Sequence, residues 1–218
     1  MIIGTRSSEQ SIIALCENNG AIRHGHFVYA SGRHGDSYID LEPLLADAEI
    51  ASAFGAEIVA RWLNIADAPR PKAVAGPAKG GVALAACVAQ AFNRLSSTPQ
   101  EEIVAISVDT RDDGFAPSGA ATKLTRGESV LLVDCVVTTG DSLAQAAAAV
   151  SAAGGVILGA VAVITCGNIP HISFQGERRV PRREPRQVPL SSLATLPFVT
   201  HPADSCPLCV AGRPIDTE

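Results

Sequence analysis

Apolar, strand-like runs alternate with helical stretches through the middle of this chain, which leaves few folds open to it. Strand-like runs lie at residues 73–76, 102–109, 129–134 and 156–165, and the helical runs 82–92 and 142–153 lie between them. Parallel strands need long crossovers, and strands that are apolar nearly throughout are typical of a sheet covered on both faces. The pattern therefore predicts an α/β fold built on a doubly wound parallel sheet.

The regions that flank this alternation have a different character. Residues 8–18 have apolar positions at helical spacing, residues 24–45 contain strand formers around a polar interruption, and residues 46–63 are amphipathic. We expect a helix, two short strands and a second helix there. A long polar loop is predicted after Asp109, and the tail from Asn168 onward is rich in proline and arginine at first.

Length and charge exclude several classes of protein. A chain of 218 residues buries one substantial core, so one main domain with a small subdomain is expected. The formal net charge of -5 argues against a nucleic-acid partner, because phosphate-backbone binding depends on clustered cations. The six cysteines are scattered and several lie in apolar runs, which favours free thiols and a cytoplasmic location.

One uncharged stretch, from Leu143 to Cys166, has the length of a membrane span. It consists mostly of Ala and Gly, and Gly154-Gly155 interrupts it before the β-branched residues begin. We therefore predict a helix, a turn and a buried strand, with no membrane association.

Ligands of parallel sheets bind beyond the carboxyl ends of the strands, so the loops after Ala75, Asp109 and Asp134 are the places to search. The segment VLLVDCVVTTGDS, residues 130–142, brings an acid to the end of a strand and then opens a helix with a Thr/Gly/Ser turn. Backbone N–H groups and hydroxyls in such a turn suit a phosphate. An acid beside a phosphate site suits a ligand that also carries hydroxyls, as ribose 5-phosphate does.

That segment resembles the signature of the type I phosphoribosyltransferase family. Residues 25–40 (GHFVYASGRHGDSYID) are similar to the substrate segment of its orotate branch, residues 76–81 (GPAKGG) to its pyrophosphate loop, and residues 206–214 (CPLCVAGRP) to the tail of one bacterial group. The resemblance implies a parallel sheet of five strands with a hood subdomain from both termini. Its divisions would be residues 1–45 and 168–218 for the hood and 46–167 for the core.

The resemblance also implies a reaction and a set of site residues. Phosphoribosyl would pass from 5-phosphoribosyl 1-pyrophosphate to orotate, pyrophosphate would leave, and Mg²⁺ would be carried by the donor; a homodimer is typical. Catalytic roles would fall on Asp134, Arg111, Lys123 and Arg126. The ribose 5-phosphate would be bound by Thr138, Thr139, Gly140, Asp141 and Ser142, the pyrophosphate by Ala78, Lys79, Gly80 and Gly81, and the base by Phe27, Ser31, Gly32 and Arg33.

Three departures from the family pattern leave alternatives open. The family signature has a pair of adjacent acids after the strand, and here Asp134 is the first while Cys135 occupies the second position. The catalytic loop reads Arg111-Asp112-Asp113-Gly114 in place of a lysine- and histidine-containing segment. The sequence ITCGNIP, residues 164–170, lacks the arginine that would hold the base carboxylate. The arginines that could substitute for it are Arg178, Arg179, Arg182, Arg183 and Arg186. Two alternatives to orotate transfer therefore stay open. The enzyme could use a different heterocyclic acceptor, or the protein could be a regulator that binds the donor or a nucleotide without catalysis.

The tail motif Cys206-Pro207-Leu208-Cys209 has the spacing of half a zinc site, and His201 is close to it in sequence. A single pair is weak evidence for a metal. We predict that the motif packs the hood and that the protein has no metal ligands of its own.

Overall fold

The computed structural model describes residues 8–29, 32–65, 67–77, 80–96, 102–111, 114–118, 126–175 and 185–216. Its helices are α1 Ser8–Asn18, α2 Glu42–Ala46, α3 Ala48–Leu63, α4 Gly80–Arg94, α5 Asp141–Ala152 and α6 Pro207–Val210. Its strands are β1 Ile22–Val28, β2 His34–Ile39, β3 Ala73–Pro77, β4 Val104–Arg111, β5 Gly114–Ser118, β6 Ser129–Val137, β7 Val156–Cys166, β8 His171–Phe174, β9 Arg186–Leu196 and β10 Thr200–His201.

Seven strands form the main sheet in the order β5-β4-β3-β6-β7-β9-β8. The five inner strands are parallel, and β5 and β8 pair antiparallel at the two edges. The predicted sheet of five parallel strands is therefore present and is extended by one strand on each side.

Both faces of this sheet are covered, as the apolar strands required. Along β6, Leu131 and Val133 point into a core formed with α3 and α4, whereas Val130 and Leu132 point into a core formed with α5. A local signal fixes the start of α3, because the Asp47 carboxylate accepts hydrogen bonds from the N–H groups of Glu49 and Ile50. The doubly wound arrangement is confirmed.

A separate sheet of three strands, in the order β1-β2-β10, combines the two ends of the chain. We call this sheet and the tail that follows it, residues 202–216, the hood. The Asp216 carboxylate accepts a hydrogen bond from the His26 N–H, and the Asp216 N–H donates to the His26 carbonyl. The tail is thereby bound to β1 at its far end.

Two sequence expectations need correction. The predicted polar loop after Asp109 contains β5, which pairs back on β4 from Arg111 and Gly114 onward. The predicted boundary of the hood at residue 168 falls too early, because β8 and β9 extend the main sheet and the chain joins the small sheet only at Thr200.

The stretch from Leu143 to Cys166 forms the predicted helix, turn and strand, because α5 ends at Ala152 and β7 begins at Val156. Within the described part of the chain, none of the helices has the length and apolar character needed to cross a membrane.

Candidate active site

The carboxyl ends of β3, β4 and β6 meet at one edge of the main sheet. Pro77 of β3 pairs with Val108 of β4, and Ala75 pairs with Leu132 of β6. Two residues past Leu132 lies Asp134, which therefore lies at the level of Pro77 in the neighbouring strand. The segments after β3, β4 and β6 thus surround one region, as expected for this class of sheet.

The start of α4 packs tightly against the end of β3. A Cβ atom on Gly76 would lie within van der Waals radius of the Gly81 backbone, and one on Gly80 would lie 2.9 Å from the Cys135 Sγ. Glycine is therefore required for the chain to turn from β3 into α4 in this space. Of the predicted pyrophosphate loop, Gly80 and Gly81 begin α4, and Ala78 and Lys79 lie outside the described residues.

Asp134 is half-buried where β6 approaches its end. Burial raises the pKa of this carboxyl from its ordinary value of 3.8 to about 7, although a hydrogen bond from the Cys135 N–H to Oδ1 (2.8 Å) acts in the opposite direction. Burial also raises the pKa of the Cys135 thiol, and the neighbouring Asp134 adds to that rise. The position of the second acid is thus occupied by a neutral thiol that packs against Gly80.

The turn after β6 has the geometry of an anion site. Gly140 precedes α5 with a φ of 86°, and a Cβ atom there would lie 2.8 Å from Ile172 Cδ1. Glycine also has no side chain that could cap the first N–H groups of α5. Thr139 Oγ1 donates to Asp141 Oδ2 (2.8 Å), while Thr138, Asp141 and Ser142 are exposed. Hydroxyls and the positive end of a helix therefore lie next to Asp134 along the chain.

The predicted basic residues do not all reach this edge. Arg111 ends β4 at the edge, with a side chain outside the described part, and Lys123 lies outside the described residues. Arg126 lies against Gly154, and both residues precede the strands β6 and β7. The Gly127 N–H donates a hydrogen bond to the Gly154 carbonyl at the same place. The predicted catalytic role of Arg126 needs correction, because this is the opposite edge of the sheet. Arg186 is the first residue of β9, which runs parallel to β7, so it also lies at this opposite edge. Its guanidinium stacks on the Phe174 ring.

The predicted base-side residues lie in the hood around one tight turn. The Gly32 N–H donates to the Tyr29 carbonyl and the Tyr29 N–H to the Arg33 carbonyl, and Gly32 has a φ of 74°. Arg33 donates to Oγ1 and to the carbonyl of Thr200 in β10 (2.8 and 2.6 Å). Phe27 is buried against Tyr38, and Ser31 lies outside the described residues.

Tyr29 connects this turn to the main sheet. Its hydroxyl donates to the Ser37 carbonyl, and burial, with Cys166 and Asp36 adding to the effect, raises the pKa of its phenol to about 12. Cys166 ends β7, whose residues Ile164 and Thr165 pair with Val136 and Val137 of β6. The turn that carries Gly32 and Arg33 therefore lies near the edge of the sheet that carries Asp134.

Sequence reasoning missed two polar groups. In the first, Thr165 Oγ1 lies 3.0 Å from Ser192 Oγ and 3.2 Å from Thr195 Oγ1 at the carboxyl ends of β7 and β9. Only a strand assignment for residues 186–196 could have revealed this hydroxyl cluster. The second group lies in the hood, where His26 and His34 approach Cys206 and Cys209. The histidines of the predicted strands, read together with the Cys-Pro-Leu-Cys motif, were the available signal.

The fold and the site define a doubly wound α/β protein in which a turn with the geometry of an anion site lies at the carboxyl edge of the sheet. Residues 49–187 match the family model described as a phosphoribosyl transferase domain. The orotate phosphoribosyltransferase of Acidithiobacillus ferrooxidans is 33% identical over 203 residues, which cover 92% of this chain and 91% of that protein. That of Caldanaerobacter subterraneus is 28% identical over 95% of both chains.

Solved structures agree with these relatives. The orotate phosphoribosyltransferase of Aeropyrum pernix matches with a TM-score of 0.59 and 27% identity, over 85% of this chain and 93% of that one. The enzyme from Mycobacterium tuberculosis, at 20% identity and a TM-score of 0.58 over 87% and 97% of the two chains, supports the fold. The chain belongs to the phosphoribosyltransferase family, and the resemblance read from the sequence is confirmed. The likeness of the Cys-Pro-Leu-Cys tail to one bacterial group stays a prediction.

Proposed function

We propose that this protein transfers phosphoribosyl from 5-phosphoribosyl 1-pyrophosphate to orotate and releases pyrophosphate. The observation that carries the proposal is the arrangement of Asp134, Gly140 and the first turn of α5 on one short segment. Relatives named orotate phosphoribosyltransferase match the chain over nearly its whole length.

Each part of the site has a task in this reaction. The 5-phosphate would be bound by the N–H groups at the start of α5 with the hydroxyls of Thr138 and Ser142. The ionised Asp134 would accept hydrogen bonds from the ribose hydroxyls and would stabilise positive charge that develops on the sugar as pyrophosphate leaves. The start of α4 at Gly80 and Gly81 would lie against the pyrophosphate, where Lys79 would add charge.

Mg²⁺ would be carried chiefly by the donor. Of the two residues at the acid-pair position, Asp134 offers the oxygen ligands that Mg²⁺ prefers, and the Cys135 thiol, with its raised pKa, does not. When bound, the ion supplies charge neutralisation for the departing pyrophosphate. We also expect the protein to act in the cytoplasm as a homodimer.

The deciding experiment measures pyrophosphate release in the presence of donor, Mg²⁺ and each of a panel of bases, together with calorimetric binding of the donor. We expect release with orotate, which depends on Asp134 and is retained in the matched carboxylate-to-amide variant Glu57→Gln on the exposed face of α3. Release with a different base only would show that the acceptor has changed.

A second function is a regulator that binds the donor or a nucleotide without turnover. The substitution of Cys135 for the second acid supports it, because a lost charge-assisted hydrogen bond weakens sugar binding by about 1.5 to 3 kcal/mol. Donor binding with no pyrophosphate release for any base would establish this function and contradict the enzyme.

A further inference from the structure

Four side chains of the hood converge on one point. The ligand atoms of His26, His34, Cys206 and Cys209 all lie within 4.8 Å of one another. His26 Nε2 is 2.9 Å from His34 Nδ1, 3.7 Å from Cys206 Sγ and 3.6 Å from Cys209 Sγ, and Cys209 Sγ is 3.3 Å from His34 Nδ1. Four side chains with metal-binding atoms thus form a compact group in the hood, and none of them belongs to the segment that carries Asp134.

Three separate segments create this group. His26 comes from β1, where it lies within the bulge between His24 and Phe27, and His34 comes from the start of β2, where it pairs with Val28. The two cysteines come from the tail, where the Val210 N–H donates to the Cys206 carbonyl in the single turn of α6. That turn places both thiols on the same side of the tail.

The hydrogen bonding of His26 orients its ring for a metal. His26 is 1% exposed, and its Nδ1 lies 2.9 Å from the carbonyl oxygen of Arg213, which can only accept a hydrogen bond. Nδ1 therefore carries the proton, and the lone pair of Nε2 points at the two thiols and His34. Histidine ligands of zinc commonly donate their other N–H to a backbone carbonyl in this way.

We propose that these four residues bind a structural Zn²⁺ ion. In a tetrahedral site, Zn–S bonds of about 2.3 Å and Zn–N bonds of about 2.0–2.1 Å put nitrogen and sulfur ligands about 3.6 Å apart. The three nitrogen–sulfur distances, from 3.3 to 3.7 Å, agree with that separation. His201, the histidine noted from the sequence, is not part of the group found among the described residues.

The chemistry of the ligands selects the kind of ion and its role. Two thiolates and two imidazoles suit Zn²⁺ and do not suit Mg²⁺ or Ca²⁺, which prefer oxygen. Two thiolates neutralise the charge of the ion, so the buried centre carries no net charge. Four protein ligands fill a tetrahedral shell and leave no position for substrate, and exposed Cys209 offers a path for entry.

The proposed ion would hold together a subdomain that is otherwise weakly supported. A sheet of three strands with β10 only two residues long has little core of its own, and small units commonly depend on metals for stability. The ion would join β1, β2 and the tail, and so would fix the turn that carries Gly32 and Arg33. The proposal does not depend on the reaction that the protein catalyses.

Metal analysis of the full-length protein, purified without a histidine tag, tests the proposal. We expect about one zinc ion per chain. After the metal is removed and replaced by Co²⁺, we expect the thiolate-to-cobalt charge-transfer bands and the intense visible bands of tetrahedral cobalt. Removal of zinc by a chelator should lower the midpoint of thermal unfolding, and added Zn²⁺ should restore it.

Variants identify the ligands. Cys209→Ser, at an exposed position that should not prevent folding, and Cys206→Ser should each lower the zinc affinity by at least about tenfold and remove a thiolate charge-transfer contribution. Cys87→Ser in α4 and His201→Gln in β10 are the matched controls and should retain the metal of the wild-type protein.

Two results would overturn the proposal. One is a folded wild-type protein that contains no zinc and takes up none on titration with Zn²⁺, including a protein in which Cys206 and Cys209 form a disulfide. The other is full zinc content and an unchanged cobalt spectrum in both Cys206→Ser and Cys209→Ser, which would place the ion elsewhere.

Discussion

The two polar sites of this molecule are built in opposite ways. The proposed anion-binding turn at residues 138–142 is one continuous segment that a buried strand and a helix hold in place, and α5 packs its apolar side onto the sheet. The proposed zinc site takes its ligands from residues up to 183 positions apart, in a subdomain with a short third strand. The first site depends on a core that is stable without a ligand, whereas in the second the bound ion would itself stabilise the hood around it.

The two sites should therefore respond differently to substitution. A site on a rigid strand-to-helix turn should lose its ligand when the backbone of that turn is disturbed, while the fold persists. A site that joins three segments should lose local stability with its ion, while the anion-binding turn continues to bind.

Gly140→Val should have the largest effect on donor binding. A β-branched residue is strongly disfavoured at the observed φ of 86°, and its Cβ would contact Ile172. We expect calorimetry to show a loss of donor affinity of at least about a hundredfold, or about 2.7 kcal/mol. Gln145→Ala, at an exposed position one turn along α5, should bind normally. A folded Gly140→Val protein with unchanged affinity would mean that the phosphate binds elsewhere.

Asp134→Asn should weaken donor binding by about ten- to a hundredfold, because a charge-assisted hydrogen bond to a ribose hydroxyl contributes about 1.5 to 3 kcal/mol. The amide retains an oxygen that can accept the hydrogen bond from the Cys135 N–H, so the fold should be unaffected. Titration calorimetry at pH 8 provides the measurement. Equal affinities for the donor in both proteins would remove Asp134 from the ribose site.

The same substitution should change how stability depends on pH. Between the ordinary pKa of 3.8 and about 7, the folded chain keeps a proton on Asp134 that the unfolded chain has lost. The free energy of unfolding should therefore fall as pH rises through this window, and level off above it. Because the side chain retains some exposure, we expect a contribution of roughly 1 to 2 kcal/mol.

Denaturant titrations at several pH values compare the wild-type protein with Asp134→Asn. The variant should lack this part of the slope and should be the more stable protein at pH 8. Residues kept for function often lower the stability of the fold, as the Asp134 carboxylate is expected to do. Parallel pH profiles for the two proteins would show that the proton is not held on Asp134.

The sequence predicted the main sheet and the strand–turn–helix conformation of residues 130–142 because their signals are local. Four apolar residues, an acid and a Thr/Gly turn stand in one run, and the structure uses that run as a strand, a turn and a helix. The strand β9 has a weaker signal in the sequence, because Pro189 lies near its start and proline is rarely found in an inner strand. In the structure, pairing of β9 with β7 begins at Leu190, so the missing N–H of Pro189 falls before the parallel ladder.

The cluster in the hood could not be predicted from spacing alone. Cys206 and Cys209 showed half of a site, but the other half depends on which face of β1 carries His26 and on where the tail ends. The bulge between His24 and Phe27 and the bonds between Asp216 and His26 decide both, and neither has a signature in the sequence. Arg126 was assigned to the wrong edge for a similar reason, since its place depends on where β6 begins.

Thr200→Val should have the smallest effect and tests whether the hood positions the base-side turn. The substitution removes the hydroxyl that accepts from Arg33 Nε and keeps the carbonyl that accepts from Nη2. One lost hydrogen bond should lower the free energy of unfolding by about 1 kcal/mol. If Arg33 contacts the base, Thr200→Val should raise the KM for orotate and leave the KM for the donor constant. Thr200→Ser, which keeps the hydroxyl, should have the wild-type KM for orotate. An equal rise in both KM values would show that Arg33 supports the whole site and has no special relation to the base.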